Sequence, residues 1–123
     1  MKHITIRNRT KGTIVARDAA LATGFLARLR GLIGRRNLSP GEGMIIKPCS
    51  SIHTCFMAFP IEVLFVDAGN QVLRATTPIE AWRIGPIVSG ASYVVELPAG
   101  SVAASQTTSG DILEWEPGEV GAS

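Results

Sequence analysis

Apolar residues in this chain come in short bursts, and glycine, proline or an Asp/Asn turn closes the strongest of them. Ile61-Glu62-Val63-Leu64-Phe65-Val66 runs into Asp67-Ala68-Gly69-Asn70, Tyr93-Val94-Val95-Glu96-Leu97 halts at Pro98, and Met44-Ile45-Ile46 stops before Pro48. Runs of about four to eight residues rich in β-branched and aromatic side chains suit strands, whereas a helix needs a longer periodic stretch. Residues 2–7 and 12–17 read as two more strands around the polar turn Asn8-Arg9-Thr10-Lys11-Gly12. Gln71 to Ala75 is the return arm after the 67–70 turn, and Ser109-Gly110-Asp111 turns into a last strand, Ile112-Leu113-Glu114-Trp115.

Helical spacing is confined to two places. From Thr23 to about Leu32, Phe25, Leu29 and Leu32 recur on one stripe, with Thr23 as a cap and Gly31 and Gly34 as stops. Ala99 to Ser105 reads as a second, short helix, and Asn37 to Gly43 is a loop by composition. About seven short strands with so little helix imply a mainly β fold of the α+β type. The expected architecture is a small barrel-like or strongly twisted antiparallel sheet with one helix in the N-terminal half. A parallel doubly wound sheet would need several more helices. The 123 residues make a single domain, with residues 117–123 a frayed tail.

Hydrophobic residues make up 46% and charged residues 18%, the balance of a packed interior. Twelve basic against ten acidic side chains leave a net charge of +2, without the basic excess of a nucleic-acid domain. The first residues, Met1 to Arg9, alternate and carry no apolar signal core, and no run approaches the length of a spanning helix. A soluble cytoplasmic protein with no membrane contact is the expectation. Cys49 and Cys55 would then be reduced thiols, and in an extended segment they would stand about 20 Å apart, beyond bridging distance.

Three constellations could carry chemistry. If 49–57 is extended, Cys49, Ser51, His53, Cys55 and Met57 share one face, a donor set acceptable to a soft metal. The outer ligands of a straight strand lie too far apart for one ion, and the plainer reading makes Cys55 and Met57 core fillers. Glu62 and Glu96 sit inside apolar strands, where an ionised carboxylate must reach solvent or find a donor. Arg83, beside Trp82, is one candidate donor, and the fork of an arginine suits a carboxylate. Arg28, Arg30, Arg35 and Arg36 could hold a phosphate, but the plainer reading is a solvated helix end, without the spacing of a phosphate loop. Neither a Gly-x-Ser-x-Gly elbow, a dinucleotide fingerprint nor a His-Glu-x-x-His pair is present, and His3 reads as a surface residue.

The blocks Gly41-Glu42-Gly43-Met44, Ser51-Ile52-His53-Thr54-Cys55-Phe56-Met57-Ala58-Phe59-Pro60-Ile61-Glu62-Val63-Leu64-Phe65-Val66-Asp67, Ala81-Trp82-Arg83, Glu96-Leu97-Pro98-Ala99-Gly100 and Ser109-Gly110-Asp111 occur in that order. Together they resemble the uncharacterised family numbered 192 among the domains of unknown function, from about Thr23 to Asp111. The resemblance implies a small β-rich domain, found both bare and behind secretion signals, with no assigned activity. The chain departs from that pattern at Glu62, where the family more often has aspartate, at Ala58, often basic, and at Cys55, often bulky or aromatic.

The expected function is therefore a non-enzymatic binding or accessory module without a cofactor. Its cleft would lie near His53, Met57, Glu62, Trp82, Arg83 and Glu96 and take a small ligand or a peptide from an unknown partner. One alternative is an enzyme or soft-metal protein using His53 with Glu62 or Glu96, or with Cys49 and Cys55. Another is a purely structural interaction domain. All the site readings share one premise, that the ionisable groups set among apolar strand positions converge in space.

Overall fold

The computed structural model describes residues 2–23, 38–47, 51–53, 61–76 and 84–118, with the backbone alone for 22–23, 51–53 and 84–87. Among the described residues nine strands follow in order: β1 (Lys2–Asn8), β2 (Thr13–Thr23), β3 (Glu42–Lys47), β4 (Ser51–His53), β5 (Ile61–Val66), β6 (Val72–Ala75), β7 (Ile84–Ile87), β8 (Tyr93–Pro98) and β9 (Leu113–Pro117). A short helix, α1 (Ser101–Ser105), precedes β9. Seven strands form one strongly curled sheet in the order β6-β5-β8-β3-β2-β1-β9, while β4 and β7 pair apart from it. The mainly β expectation holds, and so do both hairpin turns and the short helix before β9.

Two features depart from the antiparallel, short-strand expectation. Strand β2 runs on to Thr23, because Asp18 to Thr23 pairs in parallel with Glu42 to Lys47 of β3 while Ala19 to Leu21 pairs with β1. Alanine-rich sequence favours helix in isolation, but ladders on both sides outweigh a preference of a few tenths of a kcal/mol per residue, roughly. The parallel pair is possible because residues 24–41 give the chain room to cross over and return. The helix expected from Thr23 to Leu32 falls, beyond Thr23, outside the described residues, as do the four arginines near it.

The central strands explain their own composition. Every residue of β5 is buried, as are Tyr93 to Leu97 of β8 and Met44 to Ile46 of β3. Alternate residues enter two different clusters. Leu64, Val66, Tyr93, Val95, Leu97 and Ile45 join Ile4, Ile6 and Leu113 inside the curl. Ile61, Val63, Phe65, Val94, Met44 and Ile46 pack with Leu38 on the opposite face. A strand covered on both faces needs a continuous apolar run, where a strand covered on one face needs alternation. Gly43 marks a tight spot, since a Cβ there would lie 3.1 Å from both the Glu96 carbonyl oxygen and Leu97 Cδ2.

The curl brings the two edge strands of the sheet back together. Gln71 bridges Ile112, the Val72 amide donates to the Asp111 carbonyl (2.8 Å), Gly110 to Val72 (2.7 Å) and Leu113 to Asn70 (2.8 Å). This seam joins the two ends of the half-barrel at one place. It depends on the turn after β5, where Asp67 Oδ1 accepts the amides of Gly69 and Gln71, both at 2.9 Å, and Asn70 takes a left-handed φ of 66°.

Candidate functional site

The two acids of the central strands do not meet. Glu62 lies opposite Leu97, a residue of the inner cluster, whereas Glu96 lies opposite Val63 and Met44 of the outer one. Directly paired residues project from the same side of a sheet, so Glu62 faces into the curl and Glu96 faces away. Both are buried, at 6% and 1% exposure, and a single cleft cannot contain both. In sequence each acid looks the same; strand register separates them.

Glu62 is held by the helix that follows β8. Its Oε1 accepts the backbone amide of Val102 at 2.9 Å, tying β5 to the first turn of α1. The carboxylate thereby supplies an acceptor to an amide that α1 itself cannot satisfy. Thr76 fixes the same end of β5 by accepting the Val63 amide through Oγ1 at 3.0 Å. Between these groups opens a cleft of about 730 Å³, walled by Glu62, Ala75, Thr76, Val102, Ala103 and the 106–109 loop, with Lys11 at its rim.

A polar network stands beside this cleft. Asp111, 4% exposed, accepts from Asn8 Nδ2 (2.9 Å), Lys11 Nζ (2.8 Å) and the Thr108 amide (3.0 Å) on one carboxylate oxygen. Asn8 also donates to Thr107 Oγ1 at 3.1 Å, and Thr107 shares a 2.7 Å hydroxyl contact with Ser105. Burial pushes the Asp111 carboxyl up, but the bonds from Asn8, Lys11 and Thr108, with the Lys11 charge, outweigh it and bring its pKa down to about 2. Lys11 makes two more bonds, to the Gln106 carbonyl (3.0 Å) and Thr108 Oγ1 (2.9 Å).

These contacts determine what the cleft can do. Lys11 Nζ is engaged by three acceptors at once, the Asp111 carboxylate, the Gln106 carbonyl and Thr108 Oγ1. One Glu62 oxygen is committed to the Val102 amide. Among the described residues there is no cluster of three His, Cys, Asp or Glu side chains suited to a metal ion, and no helix is long and apolar enough to cross a membrane.

Of the residues singled out in the sequence, Glu62 is in this cleft and Glu96 is on the other face. His53 pairs through its backbone with Ile84 in the β4–β7 ribbon, and its side chain lies outside the described residues. Cys49, Cys55, Met57, Trp82 and Arg83 also lie outside them. The sequence reading missed Asn8, Lys11, Thr107 and Asp111. Parity held a signal: Asn8 continues the inward series Ile4, Ile6, and Asp111 precedes Leu113 by two. A polar side chain in an inward position must have a partner, and these two are each other's.

Comparison with known proteins agrees with the fold. The profile of DUF192, described as an uncharacterised ACR, matches residues 6–115. A UPF0127 protein of Thermococcus kodakarensis is 30% identical over 118 residues, covering 93% of this chain and 74% of that protein. Among solved structures, a protein of unknown function from Novosphingobium aromaticivorans superposes with a TM-score of 0.75 at 23% identity, covering 92% of this chain and 84% of that one. Another, from Sinorhizobium meliloti and put forward as a transcription regulator, gives 0.74 at 22% identity, with 93% and 92% coverage. At such identities the two structures speak for the fold alone.

Proposed function

The chain belongs to the uncharacterised DUF192 family, and from that premise we propose that it is a non-enzymatic binding module whose cleft beside Glu62 takes a small ligand or a short peptide segment. The observation that carries this reading is the commitment of the charged groups around the cleft. Glu62 accepts from Val102, and Lys11 is triply bonded and ion-paired to Asp111. A site for proton transfer keeps its acid or base available to substrate, while a site for binding gains from rigid walls. The cleft's volume, about 730 Å³, also suits a small organic molecule. The module works in the cytoplasm, where Cys49 and Cys55 stay reduced.

The test is an amide NMR screen of the wild-type protein against a fragment set containing short peptides. Binders should move the amides of Thr76, Val102 and Gln106. Replacing the exposed wall residue Ala103 with tryptophan should abolish those shifts while leaving the thermal midpoint in place. Binders that move other amides, or that bind A103W as well as wild type, would show that the cleft is not the site.

A further inference from the structure

A separate recess of about 480 Å³ borders the seam where the 67–70 turn meets β9, and Arg9, Lys47, Gly69, Asn70, Glu114 and Trp115 line it. The groups around it are mainly donors. The described ion pairs are His3 with Asp18, Arg7 with Glu116 and Lys11 with Asp111, so neither Arg9 nor Lys47 is ion-paired with a described carboxylate. Glu114 lines the same recess without bonding to either.

Lys47 is nevertheless held in place. Its Nζ stands 5.9 Å from the centre of the Tyr93 ring and 5.6 Å from that of Trp115, and the two rings meet edge to face at 5.2 Å. Attraction to ring faces positions an ammonium group without using its N–H donors, which remain for a ligand. Asn70 is oriented by the same corner. Its Oδ1 accepts the Tyr93 hydroxyl at 2.9 Å, and that hydroxyl in turn accepts the Trp115 indole N–H at 3.2 Å. Burial pushes the Tyr93 pKa up to about 12, so the hydroxyl keeps its proton and Asn70 keeps its oxygen turned toward it. The Asn70 amide nitrogen then points away from the tyrosine with two donors of its own.

We propose that this recess binds an oxyanion, a carboxylate or phosphate group carried on a small flat molecule. Arg9 and Lys47 supply the charge, the Asn70 amide adds a neutral donor, and the indole of Trp115 forms an apolar wall. A guanidinium fork with an ammonium and an amide is the donor set that recognises such groups. Glu114 offsets part of the positive charge, so a singly or weakly doubly charged group fits better than a polyanion. This site is independent of the cleft beside Glu62.

Trp115 is the reporter, and since the chain has two tryptophans the titrations use a Trp82→Phe background. The probes are phenyl phosphate, benzoate and inorganic phosphate at fixed ionic strength. A saturable change in indole emission is expected with phenyl phosphate or benzoate, whichever is tighter naming the oxyanion, and weaker binding with inorganic phosphate. R9A and K47A should each weaken binding about tenfold, while K2A leaves it unchanged. E114Q should tighten binding, a gain that loss of folding cannot imitate. The proposal fails if no probe gives a saturable response, if R9A and K47A bind like the parent, or if E114Q does not tighten binding.

Discussion

The centre of the sheet and its seam are held by different physics. Strands β3, β5 and β8 are apolar on both faces and stabilised by buried area, with side chains such as Phe65 and Val63 at 0% exposure. Burying one such side chain contributes roughly 1.5–3 kcal/mol. At the seam a handful of backbone bonds joins the two edge strands, and one carboxylate, Asp111, gathers the donors of Asn8, Lys11 and Thr108. Area is spread over many atoms and has no protonation state. A network focused on one oxygen loses several bonds together and depends on pH. The seam is therefore where a small chemical change should matter most for its size.

The largest effect belongs to the centre. Phe65→Ala should cost about 3–5 kcal/mol by leaving a cavity between β5 and its neighbours, measured by urea denaturation. A cost under about 1 kcal/mol would mean that the outer cluster is not a packed core. Next, Asp111→Ala should cost about 2–3 kcal/mol, because Asn8 and the Thr108 amide lose their acceptor while the partly exposed Lys11 regains water. Equal stability in that variant would erase the distinction between the two regions.

Acid sharpens the contrast. The folded-state pKa of Asp111 is depressed from 3.8 to about 2, so its contribution is present above the unfolded value and lost as pH falls from about 4 through about 2. The expected loss is on the order of 1–2 kcal/mol. Urea midpoints of wild type and Asp111→Asn, compared at pH 5 and pH 2, should converge on acidification; a constant gap would refute the assignment. Phe65→Ala should keep its deficit across the same range. The smallest effect is Gly43→Ala, about 1 kcal/mol by thermal unfolding, because the backbone oxygen of Glu96 and Leu97 Cδ2 each stand 3.1 Å from the added methyl.

Strands β5 and β8 were legible because a strand buried on both sides writes a continuous apolar run, and their ends because Pro98 and the 67–70 turn interrupt it. The need of Glu62 for a donor was legible too, since an acid between Ile61 and Val63 has no water at hand. Its partner was not. The Val102 amide lies on a helix forty residues on, and an unsatisfied amide carries no mark of its own in a sequence. The same limit hid the Asn8–Asp111 contact, in which residues at opposite ends of the chain meet where β1 runs beside the start of β9. The sequence reading ended the second strand at residue 17, and its extension to Thr23 rests on pairing with β1 and β3, strands that local sequence does not point to.

By itself the chain of residues decided a mainly β fold, the sites of its hairpin turns and the short helix before β9, because turn chemistry and side-chain period act over a few neighbours. Tertiary structure alone decided that β2 and β3 run parallel, that the sheet curls until β6 and β9 touch, and that Glu62 and Glu96 face opposite ways. Those outcomes turn on the register between strands far apart in the chain. A shift of one residue exchanges the two faces of a strand, and the packing of whole faces selects one register from the others.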